Sequence, residues 1–237
     1  MRKLLSALMV ALGLSGCSMV TSDQPLFQQA DTKDAPVLRP GVWAMPDKAE
    51  CVFDAKAAAA TWPKCANATV VAGDTFIQIA STAVEKQDSG GEGEAAAAPA
   101  ETGKSEGATK ANQTMRFVLA GGQPPVLQLQ RPSGETKGPP FVYAGVRVTA
   151  SDDQKRVTGL KVWLALCSKP EALKGDLNVK PAPPLPGLIM RKGNPTECVA
   201  TAKDPVRNSV IKSEAWLSGG DPKDMIMQAH WVRDGDS

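Results

Sequence analysis

A single histidine, His230, sets the limits for any side-chain catalysis in this chain of 237 residues. A Ser-His-Asp or Cys-His site would have to be built around it. No serine lies in a GxSxG stretch and no HExxH occurs, so no sequence pattern supplies His230 with a catalytic partner. On the strand predicted below, His230 lies on the face opposite Met227 and Trp231. We therefore expect a solvated or hydrogen-bonded histidine rather than a catalytic one.

The first of the five cysteines, Cys17, follows a stretch with the three parts of a secretory signal. Arg2 and Lys3 are positively charged, and residues 4–14 are apolar apart from Ser6 and Gly13. As a helix these eleven residues would reach about 16 Å, roughly half the hydrocarbon core of a bilayer. The stretch is thus too short to be a spanning segment.

The run Leu14-Ser15-Gly16-Cys17 resembles the lipobox of bacterial lipoproteins. The resemblance implies that residues 1–16 are a signal peptide removed before Cys17, and that Cys17 carries the lipid, with palmitate as an acyl group. Ordinary signal cleavage with a plain Cys17 is the alternative. An aspartate directly after the lipidated cysteine would resemble an inner-membrane retention signal. This chain has Ser18 at that position instead. The resemblance therefore implies an outer-membrane lipoprotein on the periplasmic face, with the membrane as its partner.

Four cysteines remain, and an even number in an exported chain predicts disulfide bonds. Three pairings are possible. Cys51–Cys65 and Cys167–Cys198 close the shortest loops, and we prefer them for that reason. A zinc site is not expected, because no CxxC motif or Cys/His pair is present.

A short internal similarity suggests a rival pairing. Glu50-Cys51-Val52 matches Glu197-Cys198-Val199, and an Ala-Lys pair follows in both places. Two related strand–turn–strand units would explain the match and would favour a Cys51–Cys198 bridge. Chance is the other explanation, because a single short match lacks the repetition of true repeats.

Charge and composition exclude several classes of function. Of 27 basic residues, two lie in the signal, so the chain after it carries 25 basic and 25 acidic residues. A nucleic-acid binder would show a basic surplus. Asp152 and Asp153 lie in "SDDQKR", where aspartate is typical of turns, and further calcium ligands are absent. We expect no metal, no cofactor and no nucleic-acid partner.

The chain divides into a tether and one domain. Residues 17–36 are mostly polar and predict a lipidated tether. Residues 37–237 predict a single domain, interrupted at residues 86–113 by a low-complexity insert that lacks aromatic residues. Such a composition buries no core and is typical of disorder.

The fold class follows from the hydrophobic pattern. Alternation across residues 141–148 and 160–166, joined by the "SDDQKR" turn, is typical of half-buried antiparallel strands. Similar alternation occurs in the segments around Phe76, Phe117 and Leu127, and in residues 225–232. Asp204 and Pro205 predict the start of one helix, with an apolar stripe of Val206, Val210, Ile211 and Leu217. We predict an α+β fold, a mainly antiparallel sheet with one C-terminal helix packed on it.

Three functional hypotheses remain. The first is a membrane-anchored envelope lipoprotein with a structural or protein-interaction role and no enzyme activity, whose partners include other envelope proteins. The second is a lipid- or glycan-binding module, for which Trp62 in "TWPKC", expected near the surface, is the first tryptophan to inspect. The third is a hydrolase centred on His230.

Overall fold

The computed structural model describes residues 18–47, 49–82, 112–132, 139–170, 182–218 and 225–235. The predicted signal peptide, Cys17 and all but the last two residues of the predicted insert lie outside them.

The described residues form eleven strands and one α-helix, α1 (Lys203–Ser218). In chain order the strands are β1 (Met19–Ser22), β2 (Gly41–Ala44), β3 (Thr69–Ala72), β4 (Thr75–Gln78), β5 (Gln113–Ala120), β6 (Val126–Gln130), β7 (Phe141–Ser151), β8 (Val157–Leu164), β9 (Leu188–Arg191), β10 (Asn194–Ala200) and β11 (Ile226–Arg233). In this part of the chain, no helix is long and apolar enough to span a membrane.

Eight of the strands close into an antiparallel barrel. Their order is β6-β5-β4-β3-β2-β11-β8-β7, and β7 closes the ring by pairing back with β6. The remaining three strands extend the sheet from β7 in the order β1-β10-β9. The predicted mainly antiparallel sheet is confirmed. Its closure into a barrel depends on the pairing of β2 with β11, which are far apart in sequence.

Side chains fill the interior of the barrel. Strand residues alternate between its two sides, so that Ala144 and Val146 of β7 point inward while Tyr143 points outward. The inward-facing side chains come from all parts of the barrel, namely Trp43, Val71, Phe117, Leu119, Leu127, Leu160, Val162 and Ala229, with Phe76 and Trp231 partly buried beside them. The inside of the barrel is therefore a packed hydrophobic core.

Helix α1 packs on the outside of the barrel, as predicted. Its buried residues include Val206, Val210 and Leu217, which contact the outer faces of β7 and β8. Ile211 was expected in the same stripe, but 48% of it is exposed because it lies on the solvent side of the helix. The helix starts at Lys203, which places Asp204 inside the first turn rather than at the N-cap.

Residues 18–36, the described part of the predicted tether 17–36, are not a free tether, contrary to the prediction. β1 lies in the sheet and pairs with β10 and with the start of β7. Thr21 and Ser22 are buried despite being polar, because Thr21 donates to the Cys198 carbonyl oxygen at 3.0 Å and Ser22 bonds the Tyr143 hydroxyl at 2.5 Å. These hydrogen bonds offset the free-energy cost of burying two polar side chains. The polar composition of the segment had predicted that it stays in solvent.

A buried glutamine fixes the rest of this N-terminal segment. The side-chain oxygen of Gln128 accepts hydrogen bonds from the backbone N–H groups of Leu26 and Phe27, both at 2.9 Å. Its amide donates to the Phe27 carbonyl at 3.0 Å. Gln128 lies on the outer face of β6, opposite Leu127 and Leu129. It is buried because residues 26–27 cover that face of the barrel.

The structure contains the two disulfide bonds that loop length favoured, Cys51–Cys65 and Cys167–Cys198. Cys198 lies in β10, whereas Cys51 lies in a loop outside any strand. The hypothesis of two equivalent strand–turn–strand units is therefore wrong. Cys198 is part of the sheet because β10 pairs with β1 and β9. A three-residue sequence match gives no information about such pairing.

Candidate functional site

The N-terminal end of β1 is where the domain would meet a lipid on Cys17. Ser18 and Val20 are buried, and Met19 pairs with Glu197 of β10. Consecutive Cα atoms are 3.8 Å apart, so Cys17 lies within about 7.6 Å of the first residue of β1. A free tether of twenty residues would have reached roughly 65 Å when extended.

A network of ion pairs surrounds this end of β1. The Glu197 carboxylate is 8% exposed and receives the Arg131 guanidinium at 3.1 Å and the Arg191 guanidinium at 3.7 Å. Arg131 also lies 3.2 Å from the sulfur of Met19. Arg191 reaches out to the exposed Asp23 carboxylate at 2.8 Å. The network ties β1, β10, the end of β6 and the end of β9 together.

Sequence analysis missed this network. Its charged residues are separated by up to 174 positions, from Asp23 to Glu197. Glu197 belongs to the Glu-Cys-Val match described above, but that match indicates no ionic partner. Each residue by itself is typical of a solvated strand end. Only the parallel pairing of β1 with β10 brings Glu197 beside the N-terminal segment.

A groove of about 920 Å³ lies outside the barrel, next to the first disulfide. Trp62, Pro63 and Asn67 line one wall, and residues 78–82 line the other. Thr82 and Asn112, on either side of the undescribed residues 83–111, both border it. The groove therefore lies where the predicted insert leaves and rejoins the barrel.

Trp62 is buried, contrary to the expectation that it lies near the surface. It is 2% exposed, and its ring packs against Phe53 with centroids 4.4 Å apart. Its Nε1 donates to the Ala57 carbonyl oxygen at 3.2 Å. The chain between the two cysteines folds over the indole and presses it onto the outer face of β2 and β3. An indole held this way is part of a small core.

His230 lies on the outer face of β11, opposite Ala229 and Trp231, as its strand position indicated. Its ring stacks near that of Phe53, with centroids 6.3 Å apart. Among the described residues, none forms a hydrogen bond with its imidazole. Desolvation lowers the pKa of His230 below its ordinary value, because packing disfavours the charged form.

Asp152 supports the β7–β8 turn. It accepts backbone hydrogen bonds from Gln154 and Arg156, at 3.0 and 2.8 Å. Desolvation alone would raise the pKa of Asp152, but the hydrogen bonds from the Arg156 side chain and backbone outweigh it, and the pKa is lowered. Asp152 also pairs with Arg39 at 3.8 Å. This is the turn chemistry that the "SDDQKR" motif predicts.

The described residues contain no group of three or more His, Cys, Asp or Glu side chains placed to hold a metal ion. Comparison with known proteins finds no matching family model, no similar curated protein and no similar solved structure. The function must therefore be argued from this chain's own residues.

Proposed function

We propose that this protein is a lipoprotein anchored in a bacterial envelope membrane through Cys17, with a structural or protein-interaction role and no enzyme activity. The proposed location and lipid attachment rest on the lipobox-like residues 14–17. The two disulfide bonds are compatible with an oxidising compartment outside the cytoplasm. Ser18 in place of aspartate favours the periplasmic face of the outer membrane.

The observation that carries the interaction role is the packed interior of the barrel. Eight-stranded barrels that bind small molecules keep space inside for the ligand. Here Trp43, Phe117 and Leu127 are among the side chains that occupy that space. The outer surface is therefore the part of the domain best suited to contact a partner.

A lipid- or glycan-binding module remains the second candidate, favoured by the groove beside Trp62. The enclosed indole weighs against stacking on a sugar, because its ring faces Phe53 and its Nε1 is already bonded. A hydrolase centred on His230 is the third candidate. Its support is weaker still. The ring that stacks near the imidazole belongs to Phe53, which has no group that could exchange a proton with His230.

Metabolic labelling tests the anchor. Cells making the full-length protein are grown with an alkyne analogue of palmitate, and the protein is isolated and examined for label. We expect label on the natural sequence and on a Ser15→Ala control, which keeps a small residue in the lipobox. Cys17→Ser should lose the label and accumulate as the longer precursor. Equal labelling of Cys17→Ser and the natural sequence would contradict lipidation at Cys17.

Cross-linking in intact cells tests the interaction role. We expect one partner protein to be cross-linked reproducibly to the natural protein. The cross-link should be lost when exposed residues on the outer surface of the barrel are substituted. Turnover of an envelope substrate that His230→Gln abolishes would instead contradict the non-enzymatic assignment and favour the third candidate.

A further inference from the structure

Two exposed lysines lie near the edge of the sheet at which the chain enters β1. β1 and β10 run parallel with Met19 opposite Glu197, so both strands begin at this edge. The β9–β10 turn at Lys192 and Gly193 precedes β10 and therefore lies at the same edge. Cys17 is joined to this edge through Ser18 alone, which is one residue before β1.

The segment after β8 reaches the same edge on the other side of β1. Met19 bridges Leu166 in antiparallel fashion, and the Cys167 N–H donates to the Ser18 carbonyl oxygen at 2.8 Å. Lys169, which is exposed, follows Cys167 by two residues and is therefore held near the Ser18 end of β1.

Among the described residues, the unpaired exposed charge at this end of the domain is positive. Lys169 and Lys192 are exposed, and neither forms an ion pair with a described carboxylate. Two described acidic residues of this end already have basic partners, because Glu197 is buried between two arginines and Asp23 is bonded to Arg191.

We propose that this end of the domain, defined by Lys169 and Lys192, rests directly on the anionic phospholipid headgroups of the leaflet that holds the lipid on Cys17. The inference rests on the proposed lipidation of Cys17. Two independent features support it: the link between Cys17 and β1 is too short to lift the domain off the surface, and the lysines match the charge of the headgroup phosphates. The lipid anchor supplies the attachment, and the lysines contribute orientation.

Amine footprinting of the full-length acylated protein tests the contact. The protein is reconstituted into vesicles of phosphatidylethanolamine and phosphatidylglycerol and treated with a membrane-impermeant acetylating reagent. The comparison protein carries a flexible Gly-Ser spacer of about twenty residues between Cys17 and Ser18, which gives a reach of roughly 25 Å. Peptide mass spectrometry reports the labelling rate of each lysine and the acylation of Cys17.

We expect Lys169 and Lys192 to be labelled roughly fivefold more slowly in the natural protein than in the spacer variant, the factor that corresponds to about 1 kcal/mol per lysine at an anionic surface. Lys33 is the internal control. It is exposed beside Asp31, which bonds Lys203 at the far end of β10 at 2.6 Å. Its labelling should be the same in both proteins.

Each other outcome is decisive. Equal labelling of Lys169 and Lys192 in two acylated proteins would overturn the contact and leave the lipoprotein assignment standing. An unmodified Cys17 would overturn the proposed function, and this inference with it. Equal protection on vesicles that lack phosphatidylglycerol would overturn the assignment of anionic headgroups as the binding partner.

Discussion

Gly145 of β7 lies directly opposite Trp163 of β8, and the indole of Trp163 covers the space where a side chain at Gly145 would stand. The indole Nε1 also donates to the carbonyl oxygen of Val210 in helix α1 at 3.0 Å. The absence of a side chain at Gly145 thus lets one tryptophan hold the helix against the barrel.

We predict that Gly145→Ala destabilises the domain by about 1–3 kcal/mol, the usual range for overpacking. Its Cβ would overlap the Trp163 ring and meet Val210 Cγ1 at 2.5 Å. Urea denaturation measures the change in the free energy of unfolding. Gly235→Ala is the matched control, because its Cβ would meet its nearest neighbour at 3.7 Å. Equal stabilities for both variants would contradict this packing.

Removing the Cys167–Cys198 disulfide should lower the free energy of unfolding more than removing the Cys51–Cys65 disulfide. The Cys167–Cys198 bridge spans 31 residues and Cys51–Cys65 spans 14. On the chain-entropy model, replacing both cysteines by alanine should cost about 3.7 kcal/mol for the first and about 3 kcal/mol for the second. Guanidinium denaturation of the two double variants compares them. A non-reduced peptide joining Cys51 to Cys198 would show that the pairing is wrong.

The histidine titration should reflect its packing. His230 is the sole histidine, so its ring resonances in an NMR titration are unambiguous. We expect a midpoint below about 6.5, the ordinary value, because desolvation lowers the pKa of His230. Phe53→Leu should move the midpoint back toward that value by exposing the imidazole. A midpoint at or above the ordinary value would contradict the packing of His230 near Phe53.

The same pKa shift has a consequence for stability. The lowered pKa favours the neutral form of His230 in the folded state, so the unfolded state binds more protons as the pH falls through about 6.5. The contribution of His230 to the free energy of unfolding is therefore present above that pH and is lost below it. His230→Gln should remove this component of the pH dependence, measured by denaturation at a series of pH values.

Of the two carboxylates near the start of β1, the buried Glu197 should contribute more to stability than the exposed Asp23. Glu197→Ala leaves Arg131 and Arg191 facing each other without their shared partner, at an expected cost of about 2–4 kcal/mol. Asp23→Ala removes the other bond of Arg191, but Asp23 is 68% exposed, so a cost of under about 1 kcal/mol is expected. Thermal denaturation of both variants makes the comparison. Similar melting temperatures would contradict the importance assigned to Glu197.

Local patterns in the sequence predicted part of this fold. Alternation in residues 141–148 and 160–166 identified β7 and β8, and the Asp204-Pro205 pair placed the start of α1 within two residues of Lys203. Loop length was enough to choose the disulfide pairs. These features depend on neighbours in the chain, which is the information that periodicity and spacing carry.

Only the tertiary structure decided which polar residues are inside. Thr21, Ser22, Gln128 and Glu197 are all buried, and each has its hydrogen-bond or ionic partner far away in sequence. For this reason a polar N-terminal segment that composition assigned to a tether is instead a strand of the sheet. The barrel closure through β2 and β11 and the ion pairs around Glu197 arise in the same way, because a buried polar group is stabilised by partners that only the folded chain brings within reach.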